Sequence, residues 1–137
     1  MMERRTKMRL TEENYVELAE KAMRDICDER DKKDRKVSPV TTSKIRNLLA
    51  MTADIYNEVI GSQDDKLSNE IRGKINYLKI RFVYEAGRET KVKTLVEKAE
   101  ILHHIDDIKD SRTQFILFSR YMEALVAYRK FIGGHDE

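Results

Sequence analysis

The apolar residues of the segment 71–82 are spaced four, three and four positions apart, at Ile71, Ile75, Leu78 and Phe82. This spacing marks one buried face of an α-helix, because the helix turns once every 3.6 residues. Similar spacing recurs in four other segments, and the sequence has only one proline and five glycines. An all-β fold needs more turn residues than that. The sequence therefore predicts an all-α protein, a compact bundle of about five amphipathic helices.

Capping residues set the expected ends of these five helices. The expected bounds are, in chain order, Thr11 to Asp28, Thr41 or Thr42 to Gly61, Ser68 to Gly87, about Thr90 to Lys109, and Asp110 or Ser111 to Gly133 and Gly134. Gly87 is expected to close its helix in the left-handed conformation, which glycine adopts at little cost. Residues 11–134 are predicted to form a single domain with a charged connection at 28–39, preceded by a flexible basic N-terminus at 1–10.

Charge and cysteine content limit the classes of function. The formal net charge of the 137-residue chain is only +2, so any nucleic-acid site must be a local one. Cys27 is the single cysteine, which excludes an internal disulfide and disfavours a cysteine-based zinc site. No apolar run is long enough to cross a membrane, and a cytoplasmic location is expected.

The sequence offers little for catalysis. It lacks a glycine-rich phosphate loop, a GxSxG motif and an HExxH motif. The best metal candidate is HHIDD, in which His103 and Asp107 are one helical turn apart. His103, however, continues an apolar stripe through Val92, Val96 and Ala99, so a structural histidine is expected. We expect no catalytic residue, no bound metal and no other cofactor.

A second side of the third helix carries cations and rings. Positions 74, 81 and 88 drift by only about 20° per seven-residue step, and positions 77 and 84 fall between them. This face, called the α3 stripe below, consists of Lys74, Tyr77, Arg81, Tyr84 and Arg88. Lysine and arginine neutralise phosphates, and tyrosine stacks or hydrogen-bonds, so the stripe is typical of RNA binding. The alternative is an exposed helix face whose cations pair with neighbouring glutamates.

Several stretches resemble one protein family when taken together and in order. They are LTEENYVELAEKA, TTSKIRNLLAMTADIYNEV, YLKIRFVYEAGR, VKTLVEKAEIL and FSRYMEALVAYRKFIGG, which cover most of the chain between Leu10 and Gly134. This combination resembles the small subunit of the type III-A CRISPR effector, the Csm complex. The charged connection at 28–39 and the joint at 62–67 match nothing characteristic of that family, and the HHIDD stretch is expected to vary within it.

The resemblance implies an all-helical, non-enzymatic subunit that assembles in several copies into a filament. It further implies that this filament and the backbone subunits together enclose the duplex of guide RNA and target RNA. RNA cleavage would belong to the backbone subunit, and the DNase and cyclic oligoadenylate activities to the large subunit. The implied partners are the RNA duplex, the other Csm subunits and further copies of the chain, while a homodimer of the isolated chain is left open.

Motifs that match the family suggest further RNA-binding candidates, chosen by charge and face. They are Lys44 and Arg46 in TTSKIRNLL, Arg81 and Arg88 in RFVYEAGR, and Arg120 and Lys130 in FSRYMEALVAYRKF. The α3 stripe adds Lys74, Tyr77 and Tyr84. Two other classes of function stay open: a helical adaptor or dimerisation module without nucleic acid, and a small metal-dependent enzyme that uses the HHIDD residues.

Overall fold

The structure of the protein is a computed structural model, which describes residues 8–133. Over that range the chain forms six α-helices and no strand. They are α1 Tyr15–Cys27, α2 Thr42–Ile60, α3 Asn69–Arg88, α4 Thr90–Lys98, α5 Ile101–Asp106 and α6 Arg112–Gly133. The predicted all-α bundle is confirmed. Most of the predicted basic N-terminus, and Gly134, lie outside the described residues.

Side-chain caps fix the start of three of the long helices. Thr41 accepts a hydrogen bond from the Lys44 amide at 3.1 Å, and Ser68 accepts one from the Ile71 amide at 3.2 Å. Ser111 does the same for the amide of Gln114 at 3.1 Å. Such caps satisfy backbone donors that the first helical turn leaves without a partner. The predicted starts of α2, α3 and α6 follow from these residue types.

The helix predicted between Thr90 and Lys109 is divided in two, which corrects the count of five helices. Glu100 adopts the left-handed conformation, with φ 53° and ψ 42°, and it separates α4 from α5. Glutamate seldom adopts this conformation, so the sequence carries no signal for the break. After this break, Ile101 and Ile105 of α5 and Ile108 just beyond it are buried in the core.

The expectation for Gly87 was wrong. Gly87 is helical, and α3 continues through Arg88 until Glu89 takes an extended conformation at φ −133° and ψ 123°. No described glycine has a positive φ. A helix can end by extending its next residue, which any amino acid does easily, so a left-handed glycine is not required here.

The bundle is organised around α6, which packs along α1 and α2. The core side chains of α6 are fully buried and include Phe115, Phe118, Met122 and Leu125. The α3 helix lies further out and packs on α2, α4 and α5 rather than on α6. One long face of α3 is therefore left to solvent. None of the helices within residues 8–133 combines the length and apolarity needed to span a membrane.

Candidate nucleic-acid interface

The two faces of α3 separate as the sequence predicted. Ile75, Leu78 and Phe82 are buried at 5%, 3% and 0% exposure. Tyr77 and Tyr84 stand on the other side at 60% and 58% exposure. The periodicity argument is sufficient for this result because α3 is one unbroken helix of 20 residues.

Two apolar side chains share the exposed face, and the sequence interpretation missed both. Ile80 is 61% exposed and Val83 is 50% exposed. Ile80 lies three residues after Tyr77 and four before Tyr84, so the three side chains follow one another along the helix. Spacing could have revealed Ile80, since it falls off the line of buried residues. The exposed surface is thus both basic and apolar.

Lys44 and Glu85 link the start of α2 to the end of α3. Lys44 Nζ donates to Glu85 Oε1 at 3.0 Å and lies 3.4 Å from Glu89 Oε2. Glu85 is only 6% exposed. The hydrogen bond from Lys44 lowers the pKa of the Glu85 carboxyl below its ordinary value, and the same bond raises the pKa of Lys44. Lys44 therefore has a structural role that its sequence position did not reveal.

Arg81 and Arg88 contact the same buried carboxylate, that of Glu85. Arg81 Nη2 lies 3.5 Å from Glu85 Oε2, and Arg88 Nη1 lies 3.6 Å from Oε1. Their side chains remain 44% and 52% exposed. The guanidinium carbon of Arg88 also lies 5.8 Å from the centre of the Tyr84 ring, which is a cation–π distance. Both arginines thus keep donors that face solvent.

Lys74 forms a short ion pair on the same stripe. Its Nζ lies 2.6 Å from Glu58 Oε2 on α2, and this hydrogen bond raises the pKa of Lys74. Next to it, a groove of about 550 Å³ runs between α2 and α3. Lys74, Tyr77 and Arg81 line the groove together with the acidic Asp54. Part of the charge at this end of the stripe is therefore balanced by neighbouring carboxylates.

The remaining candidates do not join this cluster. Arg46 is exposed on α2, two residues and about 200° of helix rotation from Lys44. Arg120 and Lys130 are exposed on α6, a helix that does not pack against α3 in the described part of the chain. Beside Lys130, Arg129 is 3% exposed, and its Nε donates to the Val40 carbonyl at 2.7 Å. The nine candidates thus fall on more than one surface.

The buried histidine of the HHIDD segment is not His103, the one that the sequence predicted. His104, at 3% exposure, is the buried histidine, whereas His103 is partly exposed because the break at Glu100 changes the helical phase. His103 Nε2 lies 3.2 Å from the Met8 carbonyl oxygen and 3.4 Å from Asp107 Oδ2. This contact ties α5 to the segment before α1.

Ligand atoms of His103, His104 and Asp107 lie within 4.8 Å of one another. A tetrahedral zinc ion with bonds of about 2.0–2.1 Å needs ligand atoms only about 3.4 Å apart. With separations of up to 4.8 Å, these ligand atoms would have to move closer together to hold such an ion, and His103 Nε2 also contacts the Met8 carbonyl oxygen. The cluster gives no specific support for metal-dependent chemistry.

Taken together, the fold and its exposed surface define a small all-α protein that displays arginines and tyrosines along one long helix. The family model described as Csm2 Type III-A matches residues 13–135. The chain therefore belongs to the Csm2 family, the small subunit of type III-A CRISPR complexes, and the resemblance inferred from the sequence is confirmed.

Three curated relatives share the name CRISPR system Cms protein Csm2. The protein of Streptococcus thermophilus is 46% identical over 127 residues, which cover 93% of this chain and 98% of the relative. That of Mycobacterium tuberculosis strain CDC 1551 / Oshkosh is 42% identical over 98 residues, covering 72% of this chain and 79% of the relative. That of Enterococcus italicus is 43% identical over 94 residues, covering 67% of each.

Proposed function

We propose that this chain is a non-catalytic subunit that lines the guide RNA–target RNA duplex of a type III-A effector complex. Several copies form a filament beside the backbone and large subunits of the Csm complex, in the cytoplasm. Each copy contacts the RNA backbone through the α3 stripe. The observation that carries this proposal is the pair of half-exposed arginines, Arg81 and Arg88, beside two exposed tyrosines on one rigid helix.

Backbone contacts suit a complex that has to accept any target sequence. Base pairing between guide and target supplies the specificity, so the protein needs only to recognise phosphates and 2′-hydroxyl groups. Arginine binds phosphate through several donors, and a helix holds such side chains at fixed spacing. Because the net charge is only +2, this affinity must come from the local cluster rather than from the overall field.

The test replaces both arginines in an assembled complex. Arg81→Glu with Arg88→Glu should weaken capture of two unrelated target RNAs by a similar factor, since no base is read. The slope of log K against log salt should become shallower by about one unit for each arginine that no longer meets a phosphate. Binding is titrated at several salt concentrations, and circular dichroism checks that the variant keeps its helices.

A matched control makes the same change of charge on α1. Lys21→Glu with Arg24→Glu replaces two exposed cations that form ion pairs within that helix. This control should bind nearly as tightly as the parent. If the α3 variant also keeps the parent affinity and slope, duplex lining by the stripe is wrong. If only one target sequence loses affinity, the contact reads bases instead.

A helical adaptor without a role in RNA binding is the second candidate function. Exposure of Ile80 and Val83 favours it, since apolar side chains amid tyrosine and arginine are typical of protein interfaces. On that account the α3 variant would fail to assemble with the other subunits, while RNA affinity of any complex that did form would be unchanged. The composition of the purified complex separates the two functions.

A further inference from the structure

Glu85 lies beneath the two arginines and is held by cations on three sides. Lys44 donates to it at 3.0 Å, and the nearest nitrogens of Arg81 and Arg88 lie at 3.5 and 3.6 Å. The arginines use different carboxylate oxygens, Arg81 the Oε2 and Arg88 the Oε1. A buried carboxylate needs such partners, because an unpaired charge is costly away from water. Glu85 is therefore charged and fixed in place.

The arginines are held only in part by this carboxylate. A guanidinium group has five N–H donors, and Glu85 faces one end of each group. Arg88 is restrained from a second side by the Tyr84 ring at 5.8 Å. A restrained long side chain loses less conformational entropy when it binds than a free one does. The unbound protein thus presents two half-exposed arginines that each have a contact with Glu85 before any RNA binds.

We propose that Glu85 is a positioning residue for the duplex contact, an inference that rests on the function proposed above. It holds one end of each guanidinium group, so the other ends of Arg81 and Arg88 face the same stretch of RNA backbone. Lys44 fixes Glu85 from behind and anchors it to α2. Glu85 does not itself contact the RNA.

Charge alone and positioning predict opposite changes in RNA affinity when the Glu85 charge is removed. A carboxylate beside a polyanion repels it, so removal of that charge should strengthen binding. Positioning predicts weaker binding, because the arginines lose their orientation. This loss is expected even though the protein becomes more positive. The sign of the change therefore distinguishes the two roles.

The experiment titrates assembled complexes that contain Glu85→Gln with the same two guide–target pairs. The expected result is roughly a tenfold loss of affinity for both targets, as restraint of two arginines is lost. The slope of log K against log salt should also become shallower, although a negative charge has been removed. A merely structural role would lower the melting temperature and leave this slope unchanged.

Glu89→Gln is the matched control, because it removes the same charge at the end of the same helix. Glu89 is partly exposed, and in the described part of the chain its ion pair is with Lys44 at 3.4 Å. This control should bind as tightly as the parent or more tightly. The positioning role is wrong if Glu85→Gln binds at least as tightly as the parent.

Two further results keep the outcomes distinct. If Glu85→Gln does not assemble, Glu85→Asp replaces it, since aspartate keeps the charge but reaches one methylene less far. Positioning predicts weaker binding for Glu85→Asp, whereas charge alone predicts no change in affinity. If the Arg81 and Arg88 variants lose affinity while both Glu85 variants keep it, only the positioning role fails. If none of these variants changes affinity, the proposed function fails as well.

Discussion

The ion pair of Lys44 and Glu85 depends on the charge of both partners, which are largely withdrawn from water. The Glu85 side chain is 8% exposed and that of Lys44 is 23% exposed. Hydrogen bonds to charged groups contribute about 1.5–3 kcal/mol when they are well formed. Because the bond joins residues 41 positions apart, it stabilises tertiary structure and not a single helix. Any change that neutralises one partner should therefore loosen the contact of α2 with α3.

The pH dependence of stability should show this pair. The pKa of Glu85 is lowered on folding, so its contribution is present above the ordinary value of about 4.5 and is lost as the pH falls further. The pKa of Lys44 is raised above 10.5, so its contribution is lost only in strong alkali. Glu85→Gln should lower the melting temperature by several degrees between pH 5 and 9, and this difference should shrink below about pH 4.5.

Thermal unfolding followed by circular dichroism between pH 3 and 9 measures this difference. Glu20→Gln is the control, since its ion pair with Arg24 at 3.0 Å lies on the exposed side of α1 and is expected to contribute little. Parallel pH profiles for the parent and Glu85→Gln would contradict the assigned role of the carboxylate.

At the scale of the elements, the corner between α4 and α5 departs most from a simple helix. Glu100 is left-handed there, and Ala99 ends α4. The Tyr121 hydroxyl on α6 donates to the Ala99 carbonyl at 2.8 Å, so the corner is attached to the central helix. Burial raises the pKa of Tyr121, which keeps the hydroxyl protonated as that bond requires. Contacts of this kind offset the backbone strain of Glu100.

Glycine at position 100 should relieve this strain. The left-handed conformation costs a residue with a side chain about 1–2 kcal/mol, whereas glycine adopts it freely but loses more entropy on folding. We therefore expect Glu100→Gly to leave the free energy of unfolding unchanged or to raise it by up to about 1 kcal/mol. Glu97→Gly, within helical α4, should lower it by about 1 kcal/mol. Urea unfolding of both variants measures these changes. If Glu100→Gly lost more unfolding free energy than Glu97→Gly, the inferred backbone strain at Glu100 would be wrong.

These elements also show how far the sequence could predict the fold. Thr41, Ser68 and Ser111 are cap residues, so the starts of α2, α3 and α6 were predictable to within a residue or two. The break at Glu100 was not, since glutamate has little intrinsic preference for the left-handed region and the hydrogen bond at this corner joins Ala99 to a tyrosine 22 positions away. The prediction for Gly87 failed for a related reason. Glycine permits a left-handed helix end, but α3 ends instead with Glu89 in an extended conformation.

At the scale of the whole molecule, the arrangement of helices determines which cations can act together. The α6 helix occupies the centre with α1 and α2, and α3 lies outside it with one side exposed. Periodicity predicted that exposed face because it is a property of one helix. The grouping of Lys44 with Arg81 and Arg88 around Glu85 depends on how α2 packs against α3, and no local pattern encodes it. The separation of Arg120 from the stripe has the same origin.

The non-catalytic role proposed above can be tested at the same scale. The pKa shifts of Lys44 and Glu85 come from the hydrogen bond between them, and burial raises the pKa of Tyr121, which makes its hydroxyl a poor nucleophile. The cluster of His103, His104 and Asp107 spans up to 4.8 Å, and His103 Nε2 is close to the Met8 carbonyl oxygen at 3.2 Å. General acid–base chemistry needs such groups free and directed at a substrate.

We therefore expect the purified chain to cleave neither RNA nor DNA, with or without Mg²⁺, Mn²⁺ or Zn²⁺. The measurement incubates labelled single-stranded RNA and DNA with the chain and with the variants His103→Ala and Asp107→Ala. Traces of contaminating nuclease would act equally in all three preparations, so the variants serve as the control. Cleavage by the parent chain that disappears in both variants and in EDTA would assign a metal-dependent activity to this cluster. Such cleavage would overturn the non-catalytic role. It would also mean that the ligand atoms close around an ion from their present separation of up to 4.8 Å.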